Sequence, residues 1–185
     1  MKFLLTSAGI SNTSIHNALV ELLGKPVAEA SALFVPTAIY GIAGGADIVR
    51  RVIRGSLGDP FCELGWKSLG LLVLTALPTI KQELWLPMLQ KTDAVLVGGG
   101  DCQYLCYWMR QSGLAELLPS LLNNGGSSPD GGREGAELNF IASSSAVAKS
   151  PQVAKRASGF FAMAFMMASD TGSGTSGFTR CGAFG

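Results

Sequence analysis

Four short segments in the first hundred residues, 2–6, 32–35, 71–75 and 94–97, are built on consecutive apolar residues. Stretches of helical character separate them, at 14–23, 42–54 and 81–89. A strand with no polar face must be covered on both sides, and alternation with helices supplies that cover around a parallel sheet. The pattern predicts an α/β fold, a three-layer sandwich with a mainly parallel central sheet. Helices are also predicted at 103–110 and 114–122, divided at Gly113, and at 152–168, with a fifth strand at 138–142. At 185 residues the chain suits a single α/β domain, 1–185.

The breaks in the pattern are as informative as the runs. Pro36 ends the second strand, and Gly41, Gly44 and Gly45 open a loop before a segment carrying Arg50, Arg51 and Arg54. Residues 123–137, rich in Gly, Ser and Asn, read as an atypical linker-like loop. Residues 169–185 read as a flexible tail by composition.

The sharpest break is at Gly98-Gly99-Gly100-Asp101, where a buried strand stops and an amphipathic segment starts at once. Glycines remove every Cβ from such a turn, so backbone N–H groups can approach a bound group closely. At the C-terminal end of a parallel strand, this is where open α/β sheets place ligands. The turn is expected to recognise an anion or an oxyanion through its amides.

Composition narrows the partners. Net charge is +1, with 15% charged and 48% hydrophobic residues. The arginines are scattered, which argues against nucleic acid. The longest apolar run, 160–168, falls well short of the roughly 20 residues of a membrane span. The apolar stretch after Lys2 is too short for a secretory signal, so a cytoplasmic location is expected. The four cysteines (62, 102, 106 and 181) form no CxxC pair and are expected to be reduced. No metal and no cofactor is expected. Cys102 and Cys106 lie four apart on one helix face, a geometry suited to packing more than to a disulfide.

Residues 95–114, reading VLVGGGDCQYLCYWMRQSGL, resemble the segment after the central strand in the peptidase E (aspartyl dipeptidase) family of serine peptidases. Thr6-Ser7-Ala8-Gly9 and Phe34-Val35-Pro36-Thr37-Ala38 are similar to that family too, and the resemblance spans residues 1–122. It implies a flavodoxin-like, class I glutamine-amidotransferase-like sandwich. It also implies a serine on a strand-to-helix elbow, a histidine base, an orienting carboxylate, and an oxyanion hole using Gly99 and Gly100. The implied substrates are short peptides with an N-terminal aspartate.

The rest of the chain departs from that pattern, which implies an altered or incomplete C-terminal third. The family elbow reads close to Gly-x-Ser-Ala-Gly, with a proline about eight positions after the serine. Ser145-Ala146 reproduces the Ser-Ala pair but puts Val147 where glycine belongs, in a turn that tolerates only small residues. Ser143 keeps the spacing to Pro151 but puts Ser145 at the glycine position. Both serines are candidate nucleophiles. His16, the one histidine, precedes them, whereas the family's base follows its nucleophile. Asp170 therefore has no base to orient. The sequence supports a serine-type peptidase with an incomplete triad. The alternatives are a noncatalytic small-molecule or anion-binding module, or a degraded or truncated paralogue.

Overall fold

The computed structural model describes residues 2–6, 9–58, 60–123 and 138–143. Five strands, β1 (Lys2–Thr6), β2 (Ser31–Val35), β3 (Ser68–Leu71), β4 (Ala94–Gly98) and β5 (Asn139–Ser143), form one sheet in the order β1-β5-β4-β2-β3. Every neighbouring pair is parallel. The helices are α1 (Thr13–Leu23), α2 (Thr37–Tyr40), α3 (Gly45–Ile53), α4 (Gln82–Gln90), α5 (Cys102–Gln111) and α6 (Leu114–Asn123).

The central strands are buried on both faces, as their unbroken apolar runs require. Ala32 and Phe34 of β2, with Leu96 of β4 and Ile141 of β5, pack against Leu19 of α1 and Val49 of α3. The alternate residues Leu33, Val95, Val97 and Phe140 pack on the opposite face. Their partners there include Trp85 and Leu89 of α4, Leu105 of α5 and Leu114 of α6. The chain moves from β1 to β2 to β3 with α1 and α3 on one face. It then turns back to β4 and β5 with α4, α5 and α6 on the other. Reversing the direction of travel while keeping right-handed crossovers obliges the helices to change face.

Two elements differ from the sequence pattern. The strand expected at 71–75 pairs over Ser68–Leu71 instead. Leu72 and Leu74 are buried, but only the Leu72 N–H still bonds to β2, at Phe34 O, 2.8 Å. By Leu74 the N–H turns to the Thr37 hydroxyl, 3.2 Å, so the apolar residues mark core burial beyond the ladder. The helix expected at 42–54 forms over Gly45–Ile53 as α3, and the short α2 is an additional helix before it, with Pro36 acting as its N-cap directly after β2. The remaining expected elements fall within a residue or two of their positions. The expected helix at 152–168, the tail at 169–185 and residues 124–137 of the linker-like segment lie outside the described residues.

The N-terminal edge of the sheet is tied together by Asp93. Its carboxylate accepts from the Ser31 N–H (2.8 Å) and the Ser31 hydroxyl (2.9 Å) and pairs with Lys25 Nζ at 2.8 Å. Its carbonyl accepts from both the backbone and the side-chain N–H of Asn139, each at 3.2 Å, which joins β5 to β4. Burial pushes the Asp93 pKa up, but the hydrogen bonds from Lys25 and Ser31 and the Lys25 charge outweigh it and leave the carboxyl below its ordinary value. Folding therefore favours the ionised form. The resulting stability is fully present above the unfolded-state pKa and is lost as pH falls through the lower, folded-state pKa. Asp93→Asn is expected to cost about 2 kcal/mol at neutral pH. Denaturant titrations of both proteins should show that gap closing as the pH is taken below the ordinary carboxylate range.

Candidate functional site

The outgoing connections of β2 and β4 leave in opposite directions, β2 toward β3 and β4 toward β5. Open α/β sheets form a crevice beside such a pair, outside the carboxyl ends of the strands. The two segments that meet there are the Gly98–Asp101 turn and α2.

They meet at backbone distance. Gly100 has φ +152°, and a Cβ placed on it would lie 2.2 Å from the Ala38 carbonyl oxygen. A Cβ on Gly98 would lie 2.7 Å from Cδ1 of Ile39. Next to them the Asp101 N–H donates to the Ala38 carbonyl at 2.8 Å. On the other side of the contact, a Cβ on Gly41 would lie 2.8 Å from Cβ of Asp101. The close seating of α2 on the turn thus requires glycine at 100, where a Cβ would meet backbone, whereas at 98 a Cβ would press on the buried Ile39 side chain. The expected glycine loop behaves alike: a Cβ on Gly45 would lie 2.1 Å from the Ile39 carbonyl oxygen.

Asp101 is the N-cap of α5. Its Oδ1 accepts from the N–H groups of Gln103 (2.9 Å) and Tyr104 (3.0 Å), which satisfies donors the first helical turn leaves open. The amides of Asp101, Gln103 and Tyr104 are thereby engaged, and those of Gly99 and Gly100 take no part in the cap. A carboxylate already occupies the positive end of the α5 dipole, so this helix start does not favour an external anion. In the first turn of α3, Asp47 likewise pairs with Arg50.

The register places Ser143 beside this turn. Ser143 ends β5, and its ladder partners are Gly98 on β4 and Thr6 on β1. The buried Thr6 hydroxyl donates to the Ala142 carbonyl at 3.5 Å. Ser145 and Asp170 lie outside the described residues. His16 is exposed in the first turn of α1, which Asn12 caps by accepting the Ile15 N–H at 2.9 Å. Among the described residues no group of three or more His, Cys, Asp or Glu side chains is placed to hold a metal ion. No helix among them is long and apolar enough to cross a membrane.

A part of the site that the sequence pattern does not reveal is α2 itself. Thr37 and Ile39 are fully buried, and the Thr37 hydroxyl receives the Leu74 N–H. The available signal is Gly41, Gly44 and Gly45 so soon after a strand end, which marks a backbone packed too closely for side chains.

The model of peptidase family S51 matches residues 3–128, more than half of the 185-residue chain. The chain belongs to peptidase family S51. No curated protein and no solved structure matches it. The all-parallel α/β sheet is consistent with the class I glutamine-amidotransferase-like fold of the S51 family. The matched span runs from β1 through α6, so it contains the glycine turn and stops before Ser143.

Gly100→Ala should cost roughly 3 kcal/mol, because the new Cβ meets backbone and the φ is one that side chains rarely adopt. Gly24→Ala is the control. Gly24 has φ +67° and nothing within 4 Å of the place a Cβ would occupy, so it should cost only about 1 kcal/mol. Urea denaturation of the two variants measures the difference.

Proposed function

We propose that this S51 member is a serine-type hydrolase of short peptides with an N-terminal aspartate. In this reading the amides of Gly99 and Gly100 stabilise the oxyanion, and Ser143 or Ser145 supplies the nucleophile. The observation that carries it is the ladder register, which sets Ser143 level with Gly98, one residue before the two candidate donors. Attack by a serine Oγ on the peptide carbonyl forms a C–O bond and moves negative charge onto the carbonyl oxygen. Two backbone N–H groups held by a rigid turn would lower that barrier, each worth about 2.7–4 kcal/mol.

The serine proton needs an acceptor. His16 is the one histidine of the chain and is exposed on α1. A triad lacking its base keeps roughly 10³–10⁴-fold acceleration over water from the oxyanion hole and binding. Slow acylation with little turnover is therefore the expected behaviour. The anion-binding alternative is weaker, because Asp101 already takes the open amides of α5 and the glycines at 98, 100 and 45 serve packing.

A fluorophosphonate probe tests the same attack: the serine Oγ forms an O–P bond, fluoride leaves with the hydroxyl proton, and the turn amides hold the phosphonyl oxygen. The probe should modify the folded protein at one serine, and peptide mass mapping of the wild type, Ser143→Ala and Ser145→Ala should locate it. Cooperative unfolding with no modification at either position would rule out the hydrolase. Calorimetric binding of an aspartyl dipeptide in that case would favour a noncatalytic binding module.

A further inference from the structure

Beside the proposed hydrolytic site, and with no role in it, a pair of nucleophilic side chains shares one face of α5. Cys102 and Cys106 stand at i and i+4 on α5, both partly exposed and both present as thiols. At that spacing the two Cβ atoms are about 5–6 Å apart. A disulfide needs Cβ atoms about 3.5–4.5 Å apart, so direct oxidation of this pair would distort the helix. A single atom bonded to both sulfurs lengthens the bridge and suits the same separation.

The chemistry of that atom follows from its surroundings. Zinc in protein sites takes four donors. Among the described residues no group of three His, Cys, Asp or Glu side chains is placed to supply even most of such a shell. The nearby Asp101 carboxylate is committed to capping α5. What remains is two soft sulfur donors, which select a thiophilic centre satisfied by two thiolates. We infer that Cys102 and Cys106 form a two-sulfur capture site for thiophilic centres of the trivalent arsenical type. With phenylarsine oxide, two As–S bonds form while two S–H bonds and the As–O bond break. The oxygen leaves as water with both thiol protons, and no oxidant or reductant is involved. The Cys102 sulfur lies 3.9 Å from the Gly100 carbonyl oxygen, so capture takes place against the glycine turn.

The other two cysteines provide the controls. Cys62 is buried in the core, where burial and then the Glu63 charge push its thiol pKa up to about 12. Cys181 lies outside the described residues and is replaced by serine throughout, so that it cannot donate a second sulfur. Phenylarsine oxide is titrated into the full-length Cys181→Ser protein and followed by intact mass and thiol count. The expected result is one adduct per chain, two thiols lost, and a cross-linked peptide joining Cys102 to Cys106. Cys102→Ser and Cys106→Ser, each checked for an unchanged circular dichroism spectrum, should bind about 100-fold more weakly, because the chelate advantage is gone. Cys106→Ala serves as a second variant should serine disturb the helix. Undiminished capture by a folded single variant, or an adduct that leaves both thiols titratable, would overturn the assignment. Both readouts are independent of hydrolytic activity.

Discussion

The backbone of α2 rests on the turn that ends β4, and the carboxyl end of the sheet is arranged around that contact. With 2.2 Å between the Ala38 carbonyl oxygen and the place a Gly100 Cβ would occupy, no side chain fits. The Asp101 N–H closes the same contact with a hydrogen bond to Ala38. Asp101 then starts α5, whose Leu105 and Met109 enter one core layer. α2 passes directly into α3, whose Val49 enters the other. A single close approach between two chain segments thus sets where helices on both faces begin.

The two ends of the sheet are stabilised by different physics. At the amino end a buried carboxylate, a lysine and a serine make a charged network across β2 and β4, and Asn139 extends it to β5. Charge-assisted hydrogen bonds there hold strands that are distant in sequence. At the carboxyl end, backbone packs on backbone through glycine, and the polar side chain at the turn caps its own helix. Backbone amides are the polar groups such an end presents, which is why the proposed chemistry rests on them.

Much of this is legible along the chain. The unbroken apolar runs of β2 and β4 announce burial on both faces, and the triple glycine announces the turn. The run at 71–75 misleads because Leu72 and Leu74 are as buried as strand residues although only Ser68–Leu71 pair. Burial marks the core, whereas pairing depends on where the neighbouring strand ends. The short α2 stays hidden because Pro36 and Gly41 both look like loop signals, and four residues are too few to show a helical period. The glycines at 98 and 100 suggest room for a ligand along the chain, and in the fold that room is filled by α2.

The sequence by itself determined the α/β class, the parallel sheet, the family, and the turn at which chemistry is expected. These follow from composition, from the spacing of apolar residues and from local glycine and cap residues, all short-range properties. Only the tertiary structure decided the strand order, the reversal of direction between β2 and β4, and the ladder that sets Ser143 beside Gly98. Those relations join residues tens of positions apart, and they are settled by which strand edges find complementary hydrogen-bond partners once both faces are covered.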